Sequence, residues 1–139
     1  MTPTINHIAI AVPSIERFLD ENSLIYGAFV RGPLLENVTQ GVREMFISDG
    51  STVLELLEPL GPGSPVAGAL KSRPFGTLLH VAVDVDSLES TIVDVEAAGG
   101  RSVVGPVEDV AFEGRRIAFV MLNGHVTELI ERAKVGVTS

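Results

Sequence analysis

The amino-acid sequence predicts an α+β fold: two βαβββ modules whose strands form a cleft-bearing mixed or antiparallel sheet. Three observations predict it. The chain repeats itself at a single offset. Each repeat opens with an alternating strand pattern and continues into a helical apolar stripe. Each repeat closes on a strong hairpin signal, Asp49-Gly50 in the first and Asn123-Gly124 in the second.

The repeat shows when the segment from Ile5 to Glu16 is set against that from Leu78 to Glu89, which places His7 on His80 at an offset of 73. The same offset runs on without a gap. It carries Gly27 onto Gly100, Gly32-Pro33 onto Gly105-Pro106, Gly41 onto Gly114, Arg43 onto Arg116 and Phe46 onto Phe119. It also carries the run Leu54 to Glu58 onto Thr127 to Glu131. So many matches at one offset point to a duplicated module. A single domain over 1–139 is expected, with repeats at about 4–60 and 77–133 and a linker at 61–76.

The elements follow in order. Strands are expected over Asn6 to Val12 and Leu79 to Val85, where apolar residues alternate. Ser14 and Asp86 are positioned to cap the helices that follow. Ile15, Phe18, Leu19, Leu24 and Ile25 form the first helical stripe; Leu88, Ile92, Val93 and Val95 form the second, which Gly99-Gly100 ends. A short strand with Gly-Pro punctuation comes next. The hairpins pair Val42 to Ser48 with Thr52 to Leu57, and Arg115 to Met121 with Val126 to Ile130. The linker has loop composition at Gly61 to Pro65 and a short helical stretch around Val66 to Leu70.

Composition bounds the function. Hydrophobic residues make up 45% and charged residues 20% of 139, the profile of a globular chain. The net charge is −8 with ten Lys and Arg, which argues against nucleic acid and against an anionic membrane as partners. No apolar stretch reaches membrane-span length, and the N-terminus carries no basic region of the kind that opens a secretory signal. There is no cysteine, which removes thiolate ligands and disulfides and fits a cytoplasmic location.

Four residues stand out for chemistry. His7 shares its strand face with Ala9 and Ala11, and His80 shares its own with Ala82 and Asp84, so each His is expected on the more open face beside small side chains. Glu55 and Glu128 each interrupt an apolar strand, an expensive place for a carboxylate without a cation or hydrogen bonds. Two imidazoles and two carboxylates suit a divalent metal such as Zn, Co, Mn, Ni or Fe(II). A two-residue turn at Asp49-Gly50 sets Glu44 directly across from Glu55; a four-residue loop moves the partner to Phe46 and keeps Glu44 on the same face. A third carboxylate is therefore expected at the same cavity. Glu58, Glu131, Arg43 and Arg116 read as solvated surface residues, and His125 as an exposed turn residue.

The chain resembles the vicinal oxygen chelate superfamily, which includes glyoxalase I, extradiol dioxygenases and methylmalonyl-CoA epimerases. The epimerases are the nearest in pattern. The features that carry the resemblance are the run Asn6 to Val12, Gln40-Gly41-Val42, the run Leu54 to Leu60, Ser64 to Ala67, Leu79 to Ala82, and Gly114 to Phe119. It implies two βαβββ modules around a cleft, with metal ligands at His7, Glu55, His80 and Glu128. It implies proton-transferring carboxylates at Glu44 and Glu128, and α-proton abstraction through a metal-stabilised enolate of an acyl-thioester such as methylmalonyl-CoA. A homodimer is expected on the same ground. The alternatives within the superfamily are a glyoxalase I-like lyase, a natural-product-modifying enzyme and a metal-free ligand-binding protein. Oxygenase chemistry is disfavoured, because it uses two His and one carboxylate and a second carboxylate occupies a position that oxygen needs.

Overall fold

The structure is a computed structural model that describes residues 2–134, so the expected span of 1–139 reaches outside the described residues at both ends. The described residues divide into two compact units, 7–80 and 2–6 with 81–134. The unit borders fall inside two strands, so both strands have residues in each unit.

Strand β1 (Thr4–Ala11) leads into helices α1 (Ile15–Glu21) and α2 (Ser23–Tyr26). Next come β2 (Val30–Arg31), β3 (Leu35–Asn37), β4 (Val42–Ser48) and β5 (Val53–Pro59). The linker holds α3 (Pro65–Ser72), close to the expected helical stretch. The second repeat is β6 (Thr77–Val85), α4 (Leu88–Ala97), β7 (Arg101–Glu108), a 3-10 turn at Val110–Phe112, β8 (Arg116–Leu122) and β9 (His125–Glu131). The second repeat is the expected βαβββ; in the first, the strand before the hairpin is split into β2 and β3.

In residues 7–80 the strand order is β2-β4-β5-β1, with β3 also on β4. In the other unit it is β6-β9-β8-β7. Each pairs one parallel couple with an antiparallel hairpin. Ala9 partners Glu55 between the parallel strands β1 and β5, and Ala82 partners Glu128 between β6 and β9. The sheet is mixed, as expected.

Alternation along β1 decides what it packs against. Ile10 and Val12 join Ile15, Leu19, Ile47 and Leu56 in the core under α1. Ala9 and Ala11 face the other way and pack with Val42, Leu57 and Val66, against which Leu70 and Leu79 lie. The face that His7 shares is therefore closed over its Ala9–Ala11 end by the linker helix α3, where an open surface was expected. In the other unit Val85, Leu88, Ala118, Val120 and Leu129 form the core under α4.

Two helix starts show what the sequence reading missed. Ser14 caps α1 by accepting from Arg17 N–H, as expected. Ser87, not Asp86, caps α4 by accepting from Ser90 N–H. Asp86 instead meets Arg132 at 2.8 Å. The repeat offset itself places Ser87 on Ser14. Glu58 accepts from Ile15 N–H at 2.9 Å and from Arg43 at 2.9 Å. Glu131 accepts from Leu88 N–H at 3.3 Å and from Arg116 at 2.9 Å. These four residues, expected to be solvated, tie each helix start to the edge of its own hairpin. A carboxylate there satisfies an orphan N–H and complements the positive end of the helix.

Candidate metal centre

His7, on β1, and Glu55, on β5, are brought together by the parallel pairing of those strands. His7 Nε2 lies 3.1 Å from Glu55 Oε1, and the two residues are 1% and 4% exposed. The Phe46 ring meets the His7 ring edge-on, with centroids 5.3 Å apart. His80 completes the group: its ring lies 6.2 Å from that of His7, and one ligand atom from each of His7, Glu55 and His80 falls within 4.8 Å of the others. Donors bound at about 2.1 Å to one ion sit about 3–4 Å apart. The three atoms are close to that spacing.

The donor set fits a divalent cation. An ionised carboxylate in so buried a place is stable only with a compensating charge or hydrogen bond. A proton on His7 Nε2 provides one such partner. A cation provides another, bound by the same nitrogen lone pair once the proton leaves. The nitrogens and the oxygen are borderline-to-hard ligands, so a thiophilic ion is the wrong match.

Glu128 lies on β9, in the other unit, and is 4% exposed. Its local setting repeats that of Glu55. It stands opposite Phe119 across its hairpin, as Glu55 stands opposite Phe46. Each glutamate is the register partner of an alanine two residues past a histidine: Ala9 after His7, and Ala82 after His80.

Glu44 lies on β4 and is 3% exposed. It pairs with Leu57 rather than Glu55, because Ser48 pairs with Val53 and the loop between is four residues long. The tight-turn register is thus corrected, and Glu44 keeps the same strand face as Phe46. The cause is local. The Asp49 carboxylate accepts from Ser51 N–H at 2.9 Å and Thr52 N–H at 2.8 Å, which opens the turn into a side-chain-held loop. Asn123-Gly124, by contrast, forms the expected two-residue turn between Leu122 and His125, with φ of 53° and 80°. His125 is exposed beside it, as expected. Asn37 was not anticipated: it is buried and donates to Glu44 Oε1 at 3.4 Å while accepting from Gln40 N–H at 3.1 Å.

The model of the Glyoxalase/Bleomycin resistance protein/Dioxygenase superfamily matches residues 6–119. The chain belongs to this superfamily. The matched span holds His7, Glu44, Glu55 and His80 and stops before Glu128. Among members of the superfamily, the chain is 33% identical to an ethylmalonyl-CoA/methylmalonyl-CoA epimerase of Cereibacter sphaeroides, over 93% of this chain and 98% of that protein. It is 30% identical to the mitochondrial methylmalonyl-CoA epimerase of Dictyostelium discoideum, over 92% of this chain and 78% of that protein. Among solved structures, a methylmalonyl-CoA epimerase in complex with methylmalonyl-CoA and NH4+ superposes with a TM-score of 0.79 at 28% identity, covering 97% of this chain and 98% of that one.

Proposed function

We propose that this chain is a metal-dependent epimerase that inverts the carbon next to the thioester carbonyl of a methylmalonyl-CoA-like acyl-CoA. The observation that carries the reading is the cluster of buried His7 and Glu55 with half-buried His80, and a second buried carboxylate, Glu44, along the strand from Phe46. The epimerases among its relatives supply the substrate class.

In this reading His7, Glu55, His80 and Glu128 hold the ion, which is Co, Zn, Mn, Ni or Fe(II). Glu128 is included because the repeat gives it the same setting as Glu55. When bound, the cation stabilises the negative charge that develops on the acyl oxygens. Glu44 takes the α-proton from one face, and Glu128 carries a proton to the other. Removal and return leave the atoms of the substrate unchanged and its configuration inverted. Asn37 orients the Glu44 carboxylate. The two repeats, 4–60 and 77–133, act as one domain, and two chains form a homodimer. The cytoplasm is the compartment assigned, on a chain without cysteine; no helix of the described residues is long and apolar enough to cross a membrane.

The test is single-epimer methylmalonyl-CoA incubated with the metal-loaded protein in deuterium oxide. Epimerisation with uptake of deuterium at the α-carbon is the expected result. With metal shown to be bound, exchange no faster than in protein-free buffer would overturn the reading.

A further inference from the structure

Cationic side chains are scarce in this chain, and most described arginines are engaged. Arg17 pairs with Glu21, Arg43 with Glu58, Arg115 with Asp84, Arg116 with Glu89 and Arg132 with Asp86. Lys71 and Arg73, like Arg31, Arg101 and Lys134, are exposed and without an ion pair among the described residues, and these two stand two positions apart at the end of α3. Two residues further on stands Phe75, 87% exposed. An aromatic ring exposed to that extent offers a free face for stacking.

The element is anchored. Gly76 N–H donates to Arg73 C=O at 3.0 Å and closes a turn over 73–76. Gly76 has a φ of 126°, and its Cα sits so near β1 that a Cβ there would meet Ala11 O at 2.8 Å. Phe75 is thus held on a turn pinned to the end of β1. It lines a cleft of about 130 Å³ with Pro74 and with Arg17, Phe18 and Asn22 of the α1 region. That volume corresponds to about four waters, the scale of one flat heterocycle.

We propose that the segment from Lys71 to Phe75 holds the nucleotide end of coenzyme A, with Phe75 stacked on the adenine and Lys71 and Arg73 on its phosphates. Aromatic stacking beside unpaired cations is the chemistry that binds a nucleotide without reading its sequence. The reach fits. His80 follows Phe75 by five residues, at most about 17 Å of extended chain. The arm of coenzyme A between sulfur and diphosphate holds two amide units with their methylene spacers and extends to about 15–17 Å. The inference rests on the acyl-CoA reading above, and its test separates the two.

Calorimetric titration with adenosine 3′,5′-bisphosphate, the nucleotide fragment alone, is expected to show binding that weakens with salt. Lys71→Ala, Arg73→Ala and Phe75→Ala should each weaken it about tenfold, and Phe75→Tyr should restore it. The wild-type protein should favour methylmalonyl-CoA over the corresponding pantetheine thioester in KM, and the Ala variants should lose that preference. No binding of the fragment by the wild-type protein, or an unchanged preference in all three Ala variants, would overturn the assignment. If the metal-loaded protein epimerises the pantetheine thioester and methylmalonyl-CoA with equal KM, the nucleotide site fails and the epimerase reading stands. If it epimerises neither, the epimerase reading fails, and the titration decides the nucleotide site.

Discussion

His7 and Glu55 meet at 3.1 Å, imidazole nitrogen to carboxylate oxygen, inside the protein. The pair accounts for two expensive burials at once, and it sets how the site responds to loss of either partner. Glu55→Ala leaves a buried imidazole without its partner, and His7→Ala leaves a buried carboxylate without one. Each variant is expected to lower bound metal, read by elemental analysis after reconstitution, and to lower stability by about 3 kcal/mol in denaturant titration. Full metal content in both would remove the pair from the ligand set.

Chelation gives a second expectation. A cation that binds the folded state stabilises it by mass action, by about 4 kcal/mol at a thousandfold excess over Kd. The melting temperature of the metal-loaded protein should therefore fall on adding a chelator and return on adding back the ion. An unchanged melting curve would argue against a resident metal.

Glu44 tests the proton-transfer role apart from metal binding. Glu44→Gln keeps the shape of the side chain and its contact with Asn37, but removes the base. Exchange of the α-proton with solvent deuterium is expected to fall by about 10²–10⁴, with metal content preserved. Exchange at the wild-type rate would exclude Glu44 as a base.

Glu131 links stability to pH. Its hydrogen bonds from Arg116 hold the carboxyl below the usual carboxylate range, against the opposing effect of burial, with Leu88 N–H adding to the lowering. A carboxyl whose folded pKa is depressed contributes stability that is present above its unfolded pKa and lost as pH falls through the folded one. Glu131→Gln should thus destabilise by about 1–2 kcal/mol at neutral pH. The gap between wild type and variant should narrow from about pH 4 downward. A gap independent of pH would show that the charge of Glu131 contributes nothing.

Gly76 tests the turn that carries Phe75. With a φ of 126° and a Cβ position 2.8 Å from Ala11 O, Gly76→Ala has neither the conformation nor the space it needs. A loss of about 2–3 kcal/mol is expected in denaturant titration. A variant as stable as the wild type would show that the turn shifts freely.

Much of the fold was legible in the sequence because its signals are local. Strand alternation, the Ser14 cap and the Asn123-Gly124 turn depend on residues a few positions apart. The offset of 73 between His7 and His80 made the duplication visible, and with it the two His and two Glu. What the sequence left open depends on partners brought in from a distance. The four-residue first hairpin arises from an Asp49 carboxylate that prefers Ser51 and Thr52 N–H to a tight turn. The roles of Glu58 and Glu131 arise from helix starts 43 positions away in the chain. The closure of the Ala9–Ala11 face arises from a helix in what reads as a linker. The sequence by itself determined which residues are available for chemistry. Only the tertiary structure decided that His7, Glu55 and His80 meet, because burying a carboxylate requires a partner, and strand pairing, not sequence spacing, supplies it.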